Sequence, residues 1–288
     1  MKRVITGIIF TSLALVSILL GGPWLAGSLA LLCFMGEKEF VSLSEAKGMK
    51  PSLTFIGISG FLIFFAALYN RYDLMIAIVS FGTIIAFLAI MSREKPTIAD
   101  TATTLLGVLY GMLLPAHLVL LRGIDSHGLR FLNYTFNPKG FFQLNEGLGY
   151  LMLVFFIIVM TDIGAFYVGS KFGKTPLAPS LSPKKTVEGS LGGMMCSILM
   201  SVLVGSMLHI DILNCIVAAI VFSVFAQLGD LAESMMKRDA NAKDASDILP
   251  GHGGILDRAD SFIFAAPIAY YYFNYAYDLI RLISLRVF

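Results

Sequence analysis

Apolar residues in this chain come in long, nearly unbroken runs separated by short polar stretches. That is neither the period-two alternation of half-buried strands nor the one-sided stripe of a water-facing helix. A helix that crosses a hydrocarbon core needs roughly 20 mostly apolar residues. On that ruler nine crossings are predicted, near residues 4–20, 24–35, 53–69, 73–91, 101–121, 147–168, 190–209, 212–228 and 260–280. The turn "GGPW" separates the first two, and the second is short unless it extends into the polar "GEKEF". No internal repeat or low-complexity segment interrupts the series. The expected fold class is therefore all-α, a polytopic membrane protein. Residues 1–146 form an N-terminal set of about five spans and an outer loop, and residues 147–288 form a C-terminal region with polar loops at 169–189 and 229–259.

Composition supports the membrane reading. A chain of 288 residues that is 57% hydrophobic and only 14% charged, with 23 phenylalanines, has too little charge to clothe a water-soluble surface. Its mean hydropathy is +0.81. The lipid bilayer is its expected surrounding and no nucleic-acid partner is expected, while the net charge of +2 says little about partners, because the distribution of charge matters more than its sum. Cys33, Cys196 and Cys215 lie within apolar runs without metal-ligand spacing and read as small core hydrophobes. Lys2 and Arg3 before the first apolar run resemble the start of a signal peptide, but no small-residue cleavage site follows, so a retained helix is expected. With the N-terminus inside, most lysines and arginines fall on the cytoplasmic side. Once the two loops of candidate chemistry are set aside, the inner and outer segments hold nearly equal numbers. The outer loop 122–146, with "FNPKGFFQLN", suits a stretch at the headgroup level.

The chemistry gathers in two predicted cytoplasmic loops. In the first, "GSKFGKT" is one residue short of a P-loop and follows a membrane helix where a strand is required. What remains is a Gly-rich turn with Lys171 and Lys174, then "SPKKT" with Lys184 and Lys185 before a new helix. This pattern fits an anion site at a helix start, and it fits equally a row of lysines marking the headgroup zone. Asp162 falls near the inner end of the sixth span, where a carboxylate either faces a partner or a wet cavity or sits at the interface.

In the second loop the eighth span runs on without a breaker, placing Asp230, Glu233 and Lys237 at i, i+3 and i+7 on one face. Pro250 and three glycines in "LPGHGG" then end any helix, and the next begins near Leu256 with Asp257 and Asp260 again three apart. Paired carboxylates on two helices suit a hard, oxygen-seeking cation such as Mg²⁺. Capping of a helix start would account for one aspartate. His252, flanked by glycines, fits a phosphate donor or acid–base group as well as a hydrogen bond within the turn.

Residues Ser234 to Asp260 read S-x-M-K-R-x4-K-D-x-S-x2-L-P-x-H-G-G-I-x-D-R-x-D. This closely resembles the signature of the CDP-diacylglycerol synthases, or phosphatidate cytidylyltransferases. "SPKKTVEG" is similar to that family's "SPKKTWEG", with Val187 at the tryptophan position, and "FGK" and Asp162 also fit. The resemblance implies transfer of a cytidylyl group from CTP to phosphatidate, giving CDP-diacylglycerol and pyrophosphate in phospholipid biosynthesis. It implies Mg²⁺, with K⁺ as a candidate second cation, and a polar active-site cavity facing the cytoplasm from the inner (plasma) membrane.

On this reading Asp230 and Asp257 are metal ligands, with Asp260 or Asp162 completing the set. Lys237, Arg238, Lys243 and Arg258 contact phosphates; Ser182, Lys184, Lys185 and Thr186 bind nucleotide or lipid headgroup; His252 joins the catalytic group. A homodimer is a candidate assembly. A CTP-dependent lipid kinase and a transporter are the alternatives. A CDP-alcohol phosphotransferase is not, because its D-x2-D-G-x2-A-R motif does not occur.

Overall fold

A computed structural model describes residues 2–124, 130–131, 134–135, 144–246 and 253–287. Its helices are α1 (Lys2–Leu20), α2 (Gly22–Glu45), α3 (Leu53–Leu68), α4 (Tyr72–Met91), α5 (Ile98–Gly107), α6 (Leu114–Arg122), α7 (Glu146–Phe172), α8 (Val187–Met207), α9 (Ile212–Asp239), α10 (Leu256–Tyr271) and α11 (Tyr277–Val287). A π-helical turn, Val108–Leu113, joins α5 to α6, and another, Tyr272–Ala276, joins α10 to α11. Taken as continuous segments, the described residues form nine helices, at the positions of the nine apolar runs. Five are long and apolar enough to cross a membrane, namely α4, Ile98–Arg122, α7, α8 and α9. The protein is an all-α, multi-pass membrane protein.

Two details differ from the sequence expectation. The second helix does not stop near residue 35 but runs through "GEKEF" to Glu45. Two short antiparallel hairpins also occur, β1 (Arg130–Phe131) with β2 (Tyr134–Thr135), and β3 (Pro176–Ala178) with β4 (Ser182–Thr186). "SPKKT" is thus a strand.

The chain divides into two compact units. One comprises Met1–Ser17, Gly21–Leu120 and Met235–Ala259; the other comprises Ile18–Leu20, Leu121–Ser234 and Asp260–Phe288. In the first, the link from α2 to α3 is tied down by polar bonds. The Lys50 amide donates to Asp100 Oδ1 at 2.6 Å, the Ser52 amide to Thr104 Oγ1 at 3.0 Å, and Arg93 to the Lys50 carbonyl at 2.5 Å. Ser52 also caps α3 by accepting from the Phe55 amide.

In the second unit, buried Arg122 donates to the Ile18 carbonyl at 3.0 Å and to Asn145 Oδ1 at 2.5 Å, while Asn145 caps α7. Helices α7 and α8 approach along small residues, as membrane helices do where van der Waals packing, rather than water exclusion, drives association. A Cβ placed on Gly193 would lie 2.5 Å from the Thr161 carbonyl oxygen, and one on Gly189 would lie 2.8 Å from that of Ala165. The obstacle at Gly193 is backbone, which cannot rotate aside. Gly193→Val is expected to destabilise the protein by about 2 kcal/mol, the usual cost of overpacking, measured as a lowered thermal midpoint in detergent. An unchanged midpoint would mean that α7 and α8 do not need this close approach.

Candidate active site

The polar end of α9 follows from its sequence. Its apolar part gives way at Gly229 to Asp230 and Glu233 with no residue that stops a helix, so both carboxylates leave the same face. Gly229 is needed here, because a Cβ would collide with the backbone carbonyl oxygen of Asp260. That contact brings the start of α10 against α9. As a result, ligand oxygens of Asp230, Glu233 and Asp260 all lie within 4.8 Å of one another. Glu233 and Asp260 are buried and Asp230 is partly exposed. Asp260 Oδ1 accepts from the Ser261 amide at 2.7 Å, and Ser261 Oγ lies 3.5 Å from Asp162 Oδ1.

Lys185 on β4 forms an ion pair with Asp230, placing one cation against the carboxylate group. Its neighbour Lys184 is exposed, as adjacent strand residues point to opposite faces. Nothing in "SPKKT" distinguishes the two lysines, whereas the strand separates them. Ser182 and Thr186 are partly exposed on the same strand, and Thr186 caps α8 by accepting from the Gly189 amide at 3.1 Å. Glu188 fixes the hairpin from the other side. It accepts from the Lys174 amide at 3.0 Å, the Thr175 amide at 3.1 Å and Thr175 Oγ1 at 2.9 Å. Three carboxylates this close repel one another strongly, and one lysine offsets only part of that charge. An oxygen-only donor set of this density fits a hard divalent cation such as Mg²⁺.

Other predicted site residues lie in the first unit. Lys237 Nζ donates to Asp257 Oδ1 at 2.5 Å, and both side chains are nearly buried. Asp257 Oδ2 also accepts from the Gly254 amide at 2.7 Å and the Ala245 amide at 3.3 Å. Arg238 donates to the Ala242 carbonyl at 3.0 Å, and Arg238, Lys243 and Arg258 are exposed. His252 lies outside the described residues, as does much of the outer loop 122–146. The geometry therefore groups Asp230 and Asp260 with Glu233, sets Lys185 beside them, and engages Asp257 with Lys237. Glu233 and Glu188 were absent from the predicted site set. Glu233 had its signal, a place on the Asp230 face. Glu188 had only its position two residues after a cap, where an acidic residue reads as a helix-start preference.

A membrane-embedded nucleotidyltransferase is the class this fold and site define. The chain belongs to the cytidylyltransferase family, whose model matches residues 1–276. It is 35% identical over 281 residues to a phosphatidate cytidylyltransferase of Synechocystis sp., covering 94% of this chain and 95% of the relative. It is also 32% identical over 271 residues to a phosphatidate cytidylyltransferase of Staphylococcus epidermidis, covering 90% and 95%. A third relative, the chloroplastic phosphatidate cytidylyltransferase 4 of Arabidopsis thaliana, is 33% identical over 287 residues, covering 93% and 72%.

Glu188→Ala should loosen the hairpin without unfolding the helices. Losing about 1 kcal/mol of local hydrogen bonding raises the open population about fivefold. Trypsin cleavage after Lys174, Lys184 or Lys185 is expected to quicken by about that factor, read by peptide mapping. Cleavage at the parent rate would remove Glu188 as the hairpin's tie.

Proposed function

We propose that the enzyme transfers the cytidylyl group of CTP to phosphatidate, releasing pyrophosphate and leaving CDP-diacylglycerol in the membrane. A phosphate oxygen of phosphatidate forms a bond to the α-phosphorus of CTP as the α–β bridging bond breaks. The attacking monoester is already anionic near neutral pH, so the barrier is set by repulsion between two anions rather than by removal of a proton. Beyond family membership, the observation that supports this reading is the pairing of Lys185 with Asp230, which joins "SPKKT" to the carboxylate group of α9 and α10.

Asp230, Glu233 and Asp260 would hold Mg²⁺, with Asp162 connected to that group through Ser261. Bound there, the ion would neutralise phosphate charge and align the reacting groups. Lys185 would pass from Asp230 to a substrate phosphate. Exposed Lys184, Arg238, Lys243 and Arg258 would bind phosphates as solvent-facing cations, and Ser182 and Thr186 offer hydroxyls on the same strand as Lys184. The site would face the cytoplasm of the inner membrane, because CTP is a cytoplasmic solute and phosphatidate stays in the bilayer.

Position-specific label in CTP tests the reaction on detergent-solubilised enzyme with and without phosphatidate, with chelator as control. Label at the α-position is expected in the lipid, and label at the γ-position in released pyrophosphate. Lipid carrying the γ-label would make the enzyme a kinase instead, and CTP turnover independent of phosphatidate would remove the lipid acceptor. For the ion, Glu233→Gln keeps the shape of the side chain and deletes a charge. The Mg²⁺ concentration for half-maximal rate should rise about tenfold or more, and direct Mn²⁺ binding by paramagnetic resonance should weaken in parallel. Unchanged binding would exclude Glu233 as a ligand.

A further inference from the structure

Buried Glu39, from the polar end of α2, makes three hydrogen bonds to a segment more than 200 residues away. Its Oε1 accepts from Ser246 Oγ at 2.5 Å and from the Ile255 amide at 3.0 Å, and its Oε2 accepts from the Leu256 amide at 2.8 Å. Ser246 lies just before "DILPGHGG" and Ile255 just after it, so one carboxylate ties both ends of that stretch. The fit is close: a Cβ on Gly254 would meet Glu39 Oε2 at 2.5 Å, and Gly36, one helical turn before Glu39, packs against Leu256. Asp257 repeats the pattern, with Ala245 and Gly254 as its two ends and Lys237 as its counter-charge. Two carboxylates from different helices thus pin residues 245–246 to residues 254–256.

We infer that Glu39 is a positioning residue for the cytidylyl transfer. It fixes the first turn of α10, and with it the orientation of the Asp257–Lys237 pair, without itself meeting substrate. The physical reason lies in the helix start. Amides in the first turn have no partner within the helix, and a carboxylate across two of them satisfies both donors and complements the positive end of the helix dipole. Gly253 and Gly254 restrict the backbone little, so the start of α10 takes its restraint from elsewhere. Glu39 supplies the restraint from a helix whose own position is set by packing. In Glu39→Gln the amide nitrogen would face a backbone N–H, so at least one bond becomes a donor–donor clash although volume is conserved.

The inference rests on the reading that Asp257 and Lys237 serve the transfer, so Asp257→Asn is measured beside the Glu39 variant. Full-length enzyme in detergent is assayed for kcat and for KM of CTP and phosphatidate, with thermal midpoints recorded to normalise to folded protein. Misplacing a catalytic pair by about an ångström costs on the order of 100-fold, so Glu39→Gln should lower kcat by about that factor. The phosphatidate KM should change far less. Ser246→Ala, which removes one arm and keeps the charge, should lower kcat by about tenfold. It also decides the matter should Glu39→Gln fail to fold. Parental kcat in folded Glu39→Gln or Ser246→Ala, beside an inactive Asp257→Asn, would overturn the positioning role alone. An active Asp257→Asn would overturn the underlying reading, and the positioning role with it.

Discussion

Repulsion between carboxylates organises the polar part of this protein. Asp230, Glu233 and Asp260 converge within 4.8 Å at the end of apolar helices, where water screens charge poorly. A cation sharing the space relieves that repulsion, and the fold brings one in on a strand. Lys185 reaches Asp230 because β4 turns it away from Lys184, and β4 keeps its place because Thr186 and Glu188 bind the turn at the start of α8. The hairpin, the glycine-lined approach of α7 to α8 and the missing Cβ at Gly229 therefore serve one electrostatic arrangement. The same excess of negative charge would, on the function proposed, attract a divalent ion. Charge deletion and ion binding are thus two measurements of one quantity.

Within the other compact unit carboxylates are answered by a lysine, a hydroxyl and backbone donors. Lys237 answers Asp257 directly, while Glu39 is answered by a hydroxyl and by amides that a helix start leaves unpaired. A buried carboxylate is costly unless it accepts hydrogen bonds, and each of these accepts several. Both carboxylates are thus held by residues 245–246 and 254–256.

Periodicity made the helices legible, since uninterrupted apolar runs leave few options in a bilayer. The onward course of α9 and the start of α10 at Leu256 were readable from the absence and presence of breakers. Readable too was the family signature, whose polar residues have no reason to interrupt a lipid-facing chain. What stayed hidden was long-range pairing. "SPKKT" is too short and too polar to announce a strand, and proline within it argues against one. Glu39 sits in "GEKEF", a string that reads as a charged helix end, and its partners are more than 200 residues away. Local sequence carries no trace of such a contact; only the packing of α2 creates it.

The membrane explains why so much of the site is built by contacts between distant segments. A soluble enzyme can enclose two anionic substrates with mobile loops, but here one substrate is confined to the bilayer and the other to water. The reacting atoms must meet at the boundary, where helices end and backbone groups lose their partners. Helix ends supply amides, carboxylates on neighbouring helices supply anions, and lysines at the polar margin supply cations. Each satisfies another's unmet charge or hydrogen bond. In such a setting a residue that never touches substrate, as Glu39 is inferred to be, still governs the chemistry, because it decides where a helix end begins.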